Sequence, residues 1–520
     1  MAVGAAQASV ADAPVRPSLR LRWRARTSQI VAALAVVIVL AAALRLHDLG
    51  ARSLWIDELF SVGLAVQDAW TTLVVLNGEE ANMTLYYVIL HLWLGLVGVA
   101  PLPGSEVWVR LPSVAFGLVS VWALYKLGAE VDSPMTGLLA ALLAAVNAYH
   151  VEMSREARSY TLWAALASLS WLALLRALDG GGRKVWTAYV VCTALAFYAH
   201  FFTAFGLLAQ VVYVALRRRW SELQSFALSG VGVALLCLPF APFFMLNHDG
   251  SQILHVRRSG PPELLDLLRL FAGGTTPVLA AYALLACAGA ATAAWRARKA
   301  GHWQPVVRQT APLLWLLVPI LTLFALSYVK PMFKERYLFA AMPAFPLTAA
   351  VGLAGLRWPL LRAAAGIVLI GLSLAPIVNG FSIRPDENWR AAVQYLVASA
   401  EHDDGWIFIS KRGQLGYEYY AGRLAGWPAS RARQDVLEGF DWFDLAASQA
   451  YYRALESGTT RLPAFAAHHS RIWLVLAHEF DSTFEGDTST AVRDWLTRHG
   501  YGARQRTFQG IRVLLYERRA

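Results

Sequence analysis

The sequence predicts a polytopic all-α membrane protein, with about eleven spans plus juxtamembrane helices, that ends in a soluble α/β domain. Three observations carry this. First, 57% of the 520 residues are hydrophobic, mean hydropathy is +0.44, and only 16% are charged, against roughly 25% in a soluble domain. Second, apolar runs recur from residue 28 to about 380. Third, beyond 380 the pattern changes to amphipathic helices and alternating strands. Twenty tryptophans and nineteen tyrosines suit a chain with much membrane–water interface. The net charge of +11 is not a nucleic-acid signal here, because Lys and Arg in such a chain mostly anchor cytoplasmic loops.

Residues 1–27 are rich in Ala and Arg and poor in acid. They lack a signal-peptide cleavage pattern and read as a disordered basic cytoplasmic arm before an uncleaved anchor. Spanning runs fall at 28–45, 108–127, 134–149, 159–176, 185–200, 203–216, 223–246, 277–295, 311–329, 337–356 and 360–379. A span needs about 20 residues, fewer where flanking groups snorkel. The stretch "LYYVILHLWLGLVGVA", 85–100, has only 16 residues. Parity decides its role. If it does not cross, Arg183/Lys184, Arg217–Arg219, Arg296/Arg298/Lys299 and Arg357/Arg362 all lie on the side of the basic arm, as the positive-inside rule prefers. It is therefore read as a half-buried juxtamembrane helix, and the C-terminus as extracytoplasmic. The domains are 1–27, 28–380 and 381–520. In the last, "IRPDENWRAAVQYLVASAEHDDGWIFIS" reads as an amphipathic helix, a polar turn and a short strand, "RIWLVLAHEF" and "GIRVLLYER" as strands, and "AVRDWLTRHGY" as a helix. Cys192, Cys237 and Cys287 lie in apolar runs with no disulfide or zinc spacing.

On this topology the extracytoplasmic end collects four polar clusters. They are "SLWIDELFSVG" with Glu79, Glu80 and Asn82; "YHVEMSREARSY", 149–160; the 247–276 loop with His248, Asp249, His255, Arg257 and Arg258; and "YVKPMFKERYLF", 328–339. Each has an ordinary reading. Asp57 suits a cap for a helix beginning near Glu58. Glu156 and Arg158 suit a solvated turn, Lys334 to Arg336 suit interface snorkellers, and His200 suits a satisfied interface histidine. Asn82-Met83-Thr84 is a glycosylation sequon of a kind frequent by chance.

Together the clusters supply two subsites. A carboxylate at the water interface can take a proton from an incoming hydroxyl or amine. Arginines at membrane helix ends can hold a phosphate whose tail lies in the bilayer, and can stabilise its charge as it departs. That is group transfer from a lipid phosphate to an outer acceptor. Span interiors nearly free of charged residues disfavour a transporter or flippase of lipid-linked saccharides, which needs charges near the midplane. A non-catalytic glycan-assembly scaffold would tolerate loss of Asp57; an enzyme would not.

Four stretches, "LWIDELFS", "NMTLYYVILHLWLGLVG…RLPSVAFG", "HVEMSREARSYTL" and "KERYLFAAMPAFPL", carry a resemblance to the bacterial glycosyltransferase family 39 proteins, relatives of protein O-mannosyltransferases and lipid A aminoarabinose transferases. The resemblance covers roughly residues 28–380. It implies the C-type (GT-C) membrane glycosyltransferase fold and transfer of a monosaccharide from a polyprenyl-phosphate donor, with inversion. It implies Asp57 as the general base, with Glu58 as its acidic neighbour. It implies donor-phosphate binding by Arg158 and Arg336, with Lys334 and Tyr337 beside them, and substrate contacts at Glu156 and Tyr160; Arg155 and His200 are added as phosphate and substrate candidates from their place in the polar clusters. Two juxtamembrane helices are implied at 60–70 and 85–100. The chain departs from relatives in having "NMT" before "LYY", where a Pro-Pro pair is frequent, and Arg155 where Gln is frequent. Arg155 either tightens phosphate binding or pairs with Glu152. The tail lacks β-trefoil character, so a protein acceptor is not implied over a glycan or lipid. No cofactor is required. A divalent cation site assembled from Asp57, Glu58, Glu152 and Glu156 stays open.

Overall fold

The computed structural model describes residues 19–67, 82–98, 105–241, 260–300, 304–383, 387–409, 411–422, 436–437, 461–477 and 487–519. Residues 1–18 and the polar residues Glu79, Glu80, His248, Asp249, His255, Arg257 and Arg258 lie outside them.

The chain is a multi-span helical bundle followed by a small mixed sheet with helices. The bundle comprises α1 (Leu19–Leu46), α2 (Ile56–Ala65), α3 (Thr84–Val97), α4 (Ser105–Val131), α5 (Pro134–Ala145), α6 (Ala148–Ser154), α7 (Tyr160–Leu178), α8 (Arg183–Ala199), α9 (Thr203–Arg217), α10 (Trp220–Cys237), α11 (Pro261–Phe271), α12 (Thr276–Ala300) and α13 (Gln304–Leu326). A 3-10 turn (Glu335–Ala341), α14 (Ala344–Gly355) and α15 (Pro359–Val378) complete it. Helix α1 starts at Leu19, so the last residues of the expected arm are helical; after Pro17 the run is mostly Leu, Arg and Ala, all good helix formers.

Among the described residues, seven helices are long and apolar enough to cross a membrane, or nine if each of two bent pairs is one span. The eleven expected runs shrink because α8 and α9 have only 17 and 15 residues, about 23–26 Å at 1.5 Å per residue. The bent pairs are α5 with α6, at 67°, and the 3-10 turn with α14, at 45°. The stretch expected at 85–100 is the short helix α3.

A buried arginine holds the first bend. Arg45 is fully buried. Its guanidinium donates to the carbonyls of Ala41, Ala145 and Ala144, at 2.9, 3.1 and 3.3 Å, and to Ser154 Oγ at 3.1 Å. Ala144 and Ala145 end α5, where carbonyls lack helical partners. A fifth contact, 2.8 Å to His150 Nδ1, requires that nitrogen to accept, which leaves Nε2 as the donor toward Ser120 Oγ at 3.2 Å. The bend aims residues 155–160 at the loop before α2. Small residues permit other close packings: a Cβ at Gly352 of α14 would overlap the Leu285 carbonyl of α12.

At the bundle end opposite α2, Arg217 pairs with Glu222 at 2.7 Å and Arg308 with Asp179 at 2.8 Å, flanked by Arg176 and Glu130. The basic loops Arg183/Lys184 and Arg217–Arg219 lie at this end.

The C-terminal unit contains α16 (Trp389–Ser399), β1 (Gly405–Phe408), α17 (Lys411–Ala421), β2 (Val436–Leu437), α18 (Leu462–His468), β3 (Arg471–Ala477), α19 (Asp487–Arg498), β4 (Tyr501–Phe508) and β5 (Ile511–Arg518). The sheet order is β2-β1-β3-β5-β4. Strands β1, β2 and β3 pair in parallel, with Ile407 opposite Leu474, while β5 runs antiparallel to β3 and β4, with Trp473 opposite Leu515. Strand β4 was not expected. Its polar residues 504–507 are exposed, and it forms because Gly510, at φ 70°, closes a hairpin onto β5.

Candidate active site

Three expected stretches meet: the first turn of α2, residues 155–160 after the bend, and the 3-10 turn at 335–341. The two neighbouring acids part company. Helix α2 begins at Ile56, so Asp57 is its second residue and not its cap. The Asp57 carboxylate lies 3.0 Å from Arg336 Nη1. Glu58, with no exposed surface, points into the bundle and takes Arg110 Nε at 2.8 Å and Nη2 at 2.7 Å. It also accepts the Ala157 backbone N–H at 2.9 Å. Arg110 further donates to the carbonyls of Leu49, Arg52 and Ser53, at 2.7, 3.0 and 3.1 Å. Glu58 is thus half of a buried two-pronged ion pair that ties α2, α4, the 49–53 loop and the 155–160 segment together. That geometry is structural, and it separates Glu58 from the role expected for Asp57.

Arg158 lies along α2. Its Nη1 donates to Tyr87 OH at 3.2 Å, Ser61 Oγ at 3.3 Å and the Asp57 carbonyl at 3.4 Å. Arg158 and Arg336 therefore flank the residue expected as base. Tyr337, half-buried, packs edge-on to Phe202 at 5.1 Å, and the Arg336 guanidinium sits 5.9 Å from its ring. Lys334, also half-buried, precedes the turn. Arg155 reaches away, to the His47 carbonyl at 2.7 Å.

Glu156, Tyr160 and His200 are buried. The Tyr160 hydroxyl and His200 Nε2 have no hydrogen-bond partner among the described residues. His200 stacks on Trp163, with ring centroids 4.3 Å apart, and its Nδ1 accepts the Phe202 N–H at 3.2 Å. With Nδ1 accepting, the imidazole is neutral and carries its proton on Nε2. Asn82, the sequon residue, accepts the Phe201 N–H at 3.2 Å.

Three of the four acids open to a cation site are held on separate partners. Asp57 is on Arg336, Glu58 on Arg110, and Glu152 takes Arg52 at 3.2 Å and Ser382 at 2.9 Å. Among the described residues no group of three His, Cys, Asp or Glu is placed to hold a metal ion.

Several residues at this site escape sequence reasoning. Arg110, Ser61 and Tyr87 sit inside apolar helical patterns, and a single polar residue there carries no periodic signal. Glu106, Glu387, Arg390 and Tyr420 come from distant segments.

This is a multi-pass membrane protein whose polar site lies at one bundle end under a C-terminal sheet. Residues 89–245 match the family model for dolichyl-phosphate-mannose-protein mannosyltransferase. A curated relative from Pseudomonas paraeruginosa, undecaprenyl phosphate-alpha-4-amino-4-deoxy-L-arabinose arabinosyl transferase, is 31% identical over 262 residues, 46% of this chain and 45% of its own length. The chain thus spans about half the length of that relative. Among solved structures, ArnT from Cupriavidus metallidurans in the apo state aligns with a TM-score of 0.56 at 13% identity, over 95% of this chain and 98% of that one. The same protein bound to undecaprenyl phosphate gives a TM-score of 0.51 at 13% identity, over 94% and 98%. The fold is shared along nearly the whole chain, and the resemblance read from the sequence stands. The family match contains Arg155, Glu156, Arg158, Tyr160 and His200 but begins after Asp57 and Glu58 and ends before Lys334, Arg336 and Tyr337.

Proposed function

We propose that the protein is an integral-membrane glycosyltransferase that moves a monosaccharide from a polyprenyl-phosphate donor to a glycan, lipid or protein acceptor. The observation that carries this reading is the convergence of one interfacial carboxylate, Asp57, with two arginines, Arg158 and Arg336. Asp57 accepts the acceptor's O–H or N–H proton. The acceptor oxygen or nitrogen forms its bond to the anomeric carbon as the bond from that carbon to the phosphate oxygen breaks. Polyprenyl phosphate leaves with the bonding pair, and in-line attack inverts the configuration. Arg158 and Arg336 neutralise the phosphate. Arg336 has two uses in this scheme: it pairs with Asp57, and it turns to the phosphate when donor enters, which frees the carboxylate to act as base. Tyr160 and neutral His200, each with a polar atom to spare, suit contacts to donor hydroxyls. Tyr337, Lys334 and Glu156 lie around them, while Arg155 stands further from Asp57.

The bound lipid of the structural relative and the description of the curated relative support the polyprenyl carrier. The sugar is a pentose or a hexose, as the aminoarabinose and mannose relatives differ in this. The basic loops at the opposite bundle end support an extracytoplasmic site and C-terminal unit in the plasma membrane. The test is transfer by purified protein in lipid, supplied with a panel of radiolabelled polyprenyl-phosphate sugars. Wild-type turnover with near-complete loss in Asp57→Asn is expected. Equal turnover in Asp57→Asn removes the base assignment, and no turnover by wild type with any donor and acceptor removes the enzyme reading.

A further inference from the structure

The C-terminal unit grips the Asp57 helix through one carboxylate. Glu387 is buried where the chain enters α16. Its Oε2 accepts the Ile56 backbone N–H at 3.1 Å and the Trp389 indole N–H at 2.8 Å. Ile56 opens α2, so its N–H is one that the helix cannot satisfy internally. The Glu387 carbonyl accepts the Ser53 hydroxyl. Beside it, the Leu54 N–H donates to Tyr420 OH at 2.7 Å. Tyr420 donates to Glu106 at 3.1 Å, and Arg390 holds Glu106 at 2.6 Å. The Asn388 N–H donates to the Gln509 carbonyl at 2.8 Å, in the turn between β4 and β5. A continuous series of bonds thus runs from the sheet to the residue before Asp57.

The structure assigns Glu387 as a positioning residue for the group transfer: it is the clamp by which the C-terminal unit sets the first turn of α2, and with it the Asp57 carboxylate. This rests on the reading of Asp57 as base. The physical case is one of length and charge. Helix α2 has ten residues, and a helix that short has little stability of its own. Its direction must come from what holds its ends. Arg110 holds it from the membrane side, through Glu58. Glu387 holds it from the C-terminal side, and an anion at a helix amino end is favoured by the free N–H groups and the macrodipole. Small displacements of a reacting group carry large rate penalties.

The test uses the full chain in lipid nanodiscs and three readouts: amide exchange of residues 54–62, turnover with the polyprenyl-phosphate sugar panel, and binding of undecaprenyl phosphate. Glu387→Ala should speed exchange across 54–62 by about tenfold or more and lower kcat by about ten- to a hundredfold, while donor KM and undecaprenyl phosphate affinity stay within about twofold. Glu387→Gln should recover part of both losses, because its amide oxygen still accepts. If Glu387→Ala does not fold, Glu387→Gln and Tyr420→Phe carry the test, with the same loss of kcat against constant KM expected at smaller size. Unchanged exchange at 54–62 overturns the proposal. So does faster exchange with unchanged kcat, and so does an equal fall in kcat, affinity and C-terminal protection, which would mark general support for the fold. The exchange readout does not depend on Asp57 chemistry, so an Asp57→Asn protein with full turnover would overturn the base reading by itself.

Discussion

The Asp57 carboxylate and the Arg336 guanidinium meet at 3.0 Å across 279 positions of chain, while Glu58, the next residue, faces the other way onto Arg110. Two adjacent acids therefore have different partners, different burial and different expected phenotypes.

Substitution should separate them by what each change costs. Glu58→Ala leaves the buried Arg110 without its carboxylate, and loss of one partner of a buried pair costs about 3–5 kcal/mol. Asp57→Asn keeps the size of the side chain at a half-open position. Thermal unfolding in detergent should show a large loss for Glu58→Ala and a change of less than about 1 kcal/mol for Asp57→Asn, with activity lost in both. Equal stability loss in the two variants would contradict this division.

Arg336 should act on donor affinity through geometry as well as charge. Arg336→Lys keeps the cation but loses the planar fork that suits phosphate. Undecaprenyl phosphate binding is expected to weaken by about tenfold in Arg336→Lys and by about a hundredfold in Arg336→Ala. Calorimetric or fluorescence titration in nanodiscs checks this, and equal affinity in wild type and Arg336→Ala would remove Arg336 from the phosphate site.

Helix packing provides a test remote from the site. Gly352→Val places a branched side chain against the Leu285 backbone, and overpacking of this kind costs about 1–3 kcal/mol or more. Reduced thermal stability with unchanged undecaprenyl phosphate affinity per folded molecule is expected.

Much of this was legible in the chain itself. Apolar runs announced the membrane bundle, because a lipid core admits only long apolar helices at such lengths. Short apolar runs announced β1 and β3, which are buried along nearly their whole length, and an alternating pattern announced β5. The stretch at 85–100 stood apart from the spanning runs by its length, and it folds as a helix of 14 residues. Strand β4 was not visible, since its polar residues gain their place only from pairing with β5. The difference between Asp57 and Glu58 was not visible either, as one sequence step on a helix turns a side chain by about 100°, and only the packed neighbours decide which direction is core.

The sequence by itself determined the class of molecule, the polar stretches that belong to one end of it, and the residue types able to perform lipid-phosphate chemistry. These depend on composition, run length and local spacing, which are properties of the chain before it folds. The tertiary structure decided which acid faces the arginines, which arginine is spent on holding the fold, and that Glu387 of the C-terminal unit reaches the first turn of α2. Those outcomes depend on contacts between residues about 50 to 330 positions apart, and no local pattern encodes a partner that only packing brings near.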